Sequence, residues 1–303
     1  MVLLVPIDLR GEPCIYPLGR RGDAIVSDIS TVPVTRPQRT VVAVRRRLPL
    51  TTLLPWVVPV LLLIGWQWGS TNGILAAEIL PPPSKILDTA GNLWETGELT
   101  RYLGASIRRV ALGFGIGAAL GLTLGFLVGL SRIGEALVDR SVQMLRAVPH
   151  LAMVPLLIAA FGIDELPKII LVALGVVFPV YLNTVSGIRS VDPKLVQLGR
   201  SYGLGYPGLL REIVIPGAMP MILTGIRYAL GVAWLTLVVG ETIATSDGIG
   251  YLAQNGRDLL RNDRIVLAIV LYALAGLIAD QLVRLMERRV LRWNTNYGKE
   301  STR

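Results

Sequence analysis

Six apolar stretches of roughly bilayer length, separated by short polar segments, constrain this chain more than any motif does. An α-helix rises about 1.5 Å per residue, so about 20 apolar residues cross a hydrocarbon core about 30 Å thick. The stretches run Leu53–Trp68, Val110–Leu130, Ala136–Ile163, Ile169–Ile188, Met219–Ala244 and Ile265–Met286. In lipid every backbone N–H and C=O must be satisfied within the spanning segment, so such a chain folds as a helix bundle. The third stretch is the least regular. Asp139, Arg140 and Arg146 interrupt its first half, and uninterrupted apolar sequence begins only near Leu151. The pattern predicts an all-α membrane protein with six transmembrane helices, or five if the third stretch is re-entrant.

The mean hydropathy of +0.57 coexists with a net charge of +9. Basic chains invite a nucleic-acid reading, but here the basic residues sit at the ends of apolar stretches, which sets membrane orientation instead. With six spans, 22 of the 30 lysines and arginines fall on the side of the termini. The positive-inside rule then places both termini of this multi-pass chain, and the loops after the second and fourth spans, on the cytoplasmic side. Arg108 and Arg109 run against this bias at the outer end of the second span; they are expected to snorkel outward or to pair with Glu95 or Glu98. Residues 1–47 are expected to form a mobile basic cytosolic tail, with Arg36, Arg39 and Arg45–Arg47 against anionic lipid headgroups. The membrane body then spans residues 48–293, and 294–303 form a short cytosolic tail. Cys14, the single cysteine, excludes an internal disulfide and any CxxC metal site.

Between the fourth and fifth spans lies a polar segment, 192–216, longer than a simple turn needs. It reads as two short amphipathic helices broken at Gly203-Leu204-Gly205. Leu195, Leu198 and Tyr202 share one face of the first at i, i+3 and i+7; Leu209, Leu210 and Ile213 gather on one face of the second. A structured cytosolic hairpin of this kind suits docking of a cytosolic partner. The second span carries another pattern: Gly113, Gly117, Gly121, Gly125 and Gly129, in strict four-residue register. Glycine weakens a helix, and in a bilayer this spacing opens a groove for close backbone approach, against a neighbouring helix or a second copy.

The hairpin resembles the EAA loop of ABC-importer permeases, in which a Glu-Ala-Ala triplet is followed four residues later by glycine and then by Ile-x-Leu-Pro. Gln197-Leu198-Gly199 stands for the triplet, Gly203 for the glycine, and Ile213-Val214-Ile215-Pro216 for the closing element. Gln197 departs from the family's acidic residue. Further stretches, ILPPPSKI (79–86), MLRAVPHLAMVPLL (144–157), FGIDE (161–165), WLTLVVGETI (234–243) and GIGYLA (248–253), are similar to permeases for aliphatic sulfonates, taurine and nitrate. The resemblance spans roughly residues 50–298. It implies the type I (MetI-like) ABC-importer architecture and a homodimer of permeases. It further implies two ABC ATPases below and an extracytoplasmic solute-binding protein above, with ATP and Mg on the ATPase and no cofactor in this chain. The coupling residues would be Gln197, Leu198, Gly199, Tyr202, Gly203, Ile213, Ile215 and Pro216. A phosphate loop is lacking here, since Gly298-Lys299 is followed by Glu300.

Polar groups within spans are costly and mark candidate pathway residues: Glu241 first, then Tyr181, Asn183, Trp234 and Thr236. A carboxylate does not attract an anion, so Glu241 suits gating or helix pairing, with Arg257 or another outer cation as partner. Arg227 reads as a snorkelling anchor, and His150 as either a pathway donor or a packed residue beside Pro149. Pro149, Pro155, Pro179 and Pro216 suit helices that bend or end. Two other functional classes make different demands on the sequence. A gradient-driven secondary transporter would use midplane carboxylates in broken helices; only Asp280 and Glu241 come near that requirement, and no inverted repeat is visible. A membrane enzyme would need convergent acid, base or metal groups, which the sequence does not present.

Overall fold

The computed structural model describes residues 50–291 apart from 77 and 244. The expected tails 1–47 and 294–303 therefore lie outside the described residues. The described part is all-helical: α1 (Leu50–Thr71), α2 (Pro83–Glu95), α3 (Glu98–Leu130), α4 (Arg132–Arg146), α5 (His150–Phe161), α6 (Glu165–Arg189), α7 (Pro193–Ser201), α8 (Tyr206–Ile243), α9 (Ile249–Asp258) and α10 (Asn262–Val290). α3, α6, α8 and α10 are each long and apolar enough to cross a membrane, and α4 with α5, bent by 79°, make a fifth candidate. The six-span expectation thus depends on α1, 22 residues long and exposed at Leu54 and from Trp56 to Ile64.

α6 is the central helix, with Val172, Val176 and Val180 fully buried against α3 and α8. The glycine register of α3 lies along it. A β-carbon built on Gly113 would meet Val172 Cβ at 2.7 Å; on Gly121, Val180 Cβ at 2.9 Å; on Gly125, Thr184 Cβ at 2.6 Å; on Gly129, Ile188 Cδ1 at 2.6 Å. Gly117 lies closer still, 2.5 Å from Ala173 O, with Val176 Cβ at 2.8 Å. Val172, Val176, Val180, Thr184 and Ile188 also recur every four residues, and all are β-branched and stiff. A glycine groove on one helix thus receives a β-branched ridge from the next. The opposite face of α3, with Leu112, Ile116, Leu120 and Leu127, is exposed, as a lipid-facing surface is.

This packing also decides what α4 and α5 do. Gly113 pairs with Val172 and Gly129 with Ile188, so α3 and α6 run parallel. The end of α3 and the start of α6 therefore lie on opposite sides, and residues 131–164 must cross between them. The re-entrant alternative is ruled out by that geometry. The break falls at Pro149, which precedes a short 3-10 turn, His150–Met153. Pro179, by contrast, lies inside an unbroken α6, where the Asn183 side chain donates to its carbonyl (2.8 Å).

Substituting Gly121 tests the groove. Alanine is the better helix former by about 1 kcal/mol, yet Gly121→Ala is expected to lower the thermal midpoint in detergent, and Gly121→Leu to lower it further. Gly115, whose β-carbon would meet nothing within 4 Å, serves as the control, with Gly115→Ala neutral or stabilising. Equal midpoints for the two alanine variants would remove the packing role.

Candidate functional site

The hairpin is built by two local devices. The Asp192 carboxylate caps α7 by accepting the Lys194 N–H (2.8 Å), and Pro193 occupies its first turn. At the other end Gly203 has φ +81°. Its N–H bonds to Arg200 O (2.9 Å) and the Leu204 N–H to Gly199 O (3.0 Å), which is the Schellman arrangement with glycine in the left-handed position. Gly199 answers a different need. Its β-carbon would lie 2.5 Å from Ile213 Cδ1 and 2.7 Å from Leu209 Cδ2, so the two arms close on each other there.

The second arm corrects one expectation. It is not a separate short helix ending at Pro216 but the first turns of α8, joined through a π-turn at Leu210–Val214 in which the Ile215 N–H reaches Leu210 O. The wider turn accommodates Pro216, which lacks the N–H that regular helix would need. The second arm of the hairpin is therefore continuous with a 38-residue span. Leu195 and Leu198 are half exposed and Tyr202 is 81% exposed, leaving the apolar stripe of α7 without a partner among the described residues. With Leu204, Ile213 and Pro216 these side chains line an open groove. Gln197 is exposed beside it.

At the opposite end of the bundle lies a polar network that was not foreseen as a unit. The Arg109 guanidinium, 1% exposed, donates from Nη1 to Glu241 Oε1 (2.6 Å) and to Asp247 O (2.7 Å), and grips Glu165 through Nε and Nη2. Glu241 is fully buried; Ser106 Oγ (2.7 Å), Tyr272 OH (2.8 Å) and the Gly250 N–H (2.9 Å) all donate to it. The Ile249 N–H in turn donates to Ser106 Oγ (2.9 Å). Lys168, 6% exposed, adds a second cation on the first turn of α6. One cluster thus ties α3, α6, α8 and α10 to the N-terminus of α9. Arg109 turns inward to Glu165 and Glu241 rather than outward or to Glu95 or Glu98, and Glu241 takes Arg109, not Arg257.

The remaining pathway candidates are scattered. Tyr181, fully buried, donates to Asp139 in α4. Asn183 packs its Cβ against Gly225 of α8. Thr236, also fully buried, meets His150 Nε2 at 3.2 Å, which holds the α4–α5 break against α8. Trp234 Nε1 is buried without a hydrogen-bond partner among the described residues. Tyr181, Thr236 and Glu241 thus face other helices of the same chain. Arg227 is more than an anchor, since it pairs with Asp280 (2.8 Å), which Arg284 also holds (2.7 Å). Among the described residues no group of three or more His, Cys, Asp or Glu could hold a metal ion.

The parallel-packed helical bundle, with a capped hairpin continuing into one span, agrees with the relatives the chain matches, which are membrane permease components of ABC importers and not enzymes. Residues 117–292 match the binding-protein-dependent transport system inner membrane component family, and the chain belongs to it. It is 51% identical over 254 residues to a protein of Escherichia coli (strain K12) named for aliphatic sulfonates transport, covering 84% of this chain and 97% of that one. A protein of Bacillus subtilis (strain 168) with the same name is 43% identical, over 80% of this chain and 87% of its own. A taurine transport system permease of Escherichia coli is 31% identical, over 77% and 86%. Among solved structures, an inward-facing methionine ABC transporter chain (TM-score 0.50, 18% identity) matches over 63% of this chain and 97% of its own. An amino acid ABC transporter chain (TM-score 0.50, 20% identity) matches over 66% and 97%. Both share the fold.

Proposed function

We propose that this chain carries aliphatic sulfonates across the bacterial inner membrane. The observation that carries the reading is the 51% identity to a sulfonate-named permease along nearly all of that protein's length. Taurine, nitrate and bicarbonate are the neighbouring substrates; relatives named for taurine and bicarbonate are more distant, at 31% and 33% identity. In this reading α1 is the sixth span, both termini are cytoplasmic, and two copies form the path above two ABC ATPases, which hold ATP and Mg, and below a solute-binding protein. Gln197, Leu198, Gly199, Tyr202, Gly203, Ile213, Ile215 and Pro216 form the ATPase-coupling surface. The exposed stripe of α8, which includes Met221, Thr224, Tyr228, Gly231 and Leu235, supports a second copy. Hydroxyl groups exposed at membrane depth fit a water-lined path or a protein neighbour better than lipid. Deletion of the gene is expected to abolish growth on ethanesulfonate as sole sulfur source, with growth on sulfate intact. Normal growth on ethanesulfonate and other alkanesulfonates would overturn the substrate assignment.

A further inference from the structure

The turn between α9 and α10 holds an exposed leucine in a backbone conformation that leucine avoids. Leu260 has φ +55°, the one positive φ outside glycine among the described residues, and is 90% exposed. It follows α9 where glycine is the usual residue, with its N–H on Arg257 O (3.2 Å) and the Arg261 N–H on Gly256 O (2.7 Å). The turn is clamped, not slack. A β-carbon on Gly256 would meet Arg261 O and Arg264 Cβ at 2.9 Å. The Arg261 guanidinium pairs with Asp263 (2.8 Å), which also accepts the Thr89 hydroxyl (2.8 Å). Asn262 Nδ2 donates to Glu78 O (2.5 Å) and ties the turn to the loop bearing Ile79, itself 74% exposed. Leu259 is 57% exposed, and Arg257, Asp258 and Glu78 are exposed beside these side chains. The result is an apolar centre with a rim of mixed charge, the anatomy of a recognition patch.

Depth separates this patch from lipid hydrocarbon. The charge-free part of α3, Val110 to Leu130, is about 31 Å long at 1.5 Å per residue, so Arg109 marks one edge of the apolar slab. Tyr272 of α10 reaches Glu241, the partner of Arg109, and so lies near that edge. α10 begins at Asn262, about 15 Å farther out by the same rise. The coupling hairpin occupies the other end of the bundle. Two costs therefore fall on one residue, an apolar side chain in water and a left-handed backbone, and strain of this kind gathers at functional positions. A family whose transport is binding-protein-dependent supplies a partner for that outer face.

We infer that Leu260, with Leu259 and Ile79 beside it, is the apolar anchor on which the solute-binding protein seats, and that the partner presents an apolar recess bordered by mixed charge. The inference rests on the orientation and assembly proposed above. The test uses the full transporter, with its ATPase, in lipid nanodiscs, reading ATPase stimulation against binding-protein concentration. Leu260→Asp is expected to raise the half-saturating concentration at least tenfold. Leu260→Gly, which relieves the backbone strain, is expected to raise it severalfold while the thermal midpoint stays equal or increases. A wild-type complex that is stimulated, with neither variant shifting half-saturation, overturns the anchor alone. A wild-type complex that no binding protein stimulates overturns the assembly it rests on, and the anchor with it. A shift seen in nanodiscs but lost in detergent micelles would assign Leu260 to the lipid interface and likewise overturn the inference.

Discussion

Replacing Arg109 with alanine is expected to lower the thermal midpoint of the detergent-solubilised protein by roughly 10 °C. Glu241 is fully buried, and Arg109 is the cation bonded to it. Removing one partner of a buried pair leaves the other charge uncompensated, at a cost of about 3–5 kcal/mol, and each kcal/mol moves the midpoint of a protein this size by about 2–4 °C. Ser106, Tyr272 and the Gly250 N–H still donate to Glu241 in the variant, which keeps the loss from being larger. Arg109→Lys should fall between, because one ammonium cannot span Glu165, Glu241 and Asp247 O as the fork does. Glu241→Gln should cost less than Arg109→Ala, since Arg109 keeps its bidentate grip on Glu165. The double variant should lose less than the two single losses added together, the sign of direct coupling. Arg101→Ala breaks a largely exposed pair with Asp247 and a cation–π contact with Tyr102 and should move the midpoint little. An Arg109→Ala protein as stable as wild type would show that the network is not structural.

How much of this was legible differs from element to element. Periodicity and the charge-interrupted third stretch were readable because bilayer thickness fixes helix length, and the glycine register because four-residue spacing puts side chains nearly in line. Pro149 was a readable break. The Arg109 network was not, because its bonded members are up to 143 residues apart in sequence and no local rule says which face of α3 an arginine takes. The expected partners Glu95 and Glu98 were near only in sequence. α3 begins at Glu98, so Arg109 lies three turns, about 16 Å, along the helix from it. The merger of the second hairpin arm with α8 was hidden for another reason. Pro216 reads as a helix terminus, and a π-turn that accommodates it leaves no compositional mark.

Gly203→Val is expected to abolish ATP-driven uptake, to about a hundredth of wild type or less, without preventing insertion. The position has open space around its would-be β-carbon but a φ of +81°, so the requirement is conformational and not steric. A left-handed backbone costs an ordinary L-residue about 1–2 kcal/mol, and a β-branched one is worse placed. Valine would relieve that strain by leaving the left-handed region, which breaks the Gly203 and Leu204 bonds to the end of α7. The stripe of Leu195, Leu198 and Tyr202 would then lose its fixed angle to α8, the span that continues the hairpin. Asparagine tolerates this backbone, so Gly203→Asn should retain most transport. Gly199→Val should fail for the other reason, since its β-carbon meets Ile213 and Leu209, and Gly199→Asn should fail as well. Uptake and ATPase coupling measured in proteoliposomes with the partner ATPase separate the two. Wild-type coupling in Gly203→Val, or equal loss in Gly203→Asn, would show that the left-handed turn is not what connects the hairpin to the span.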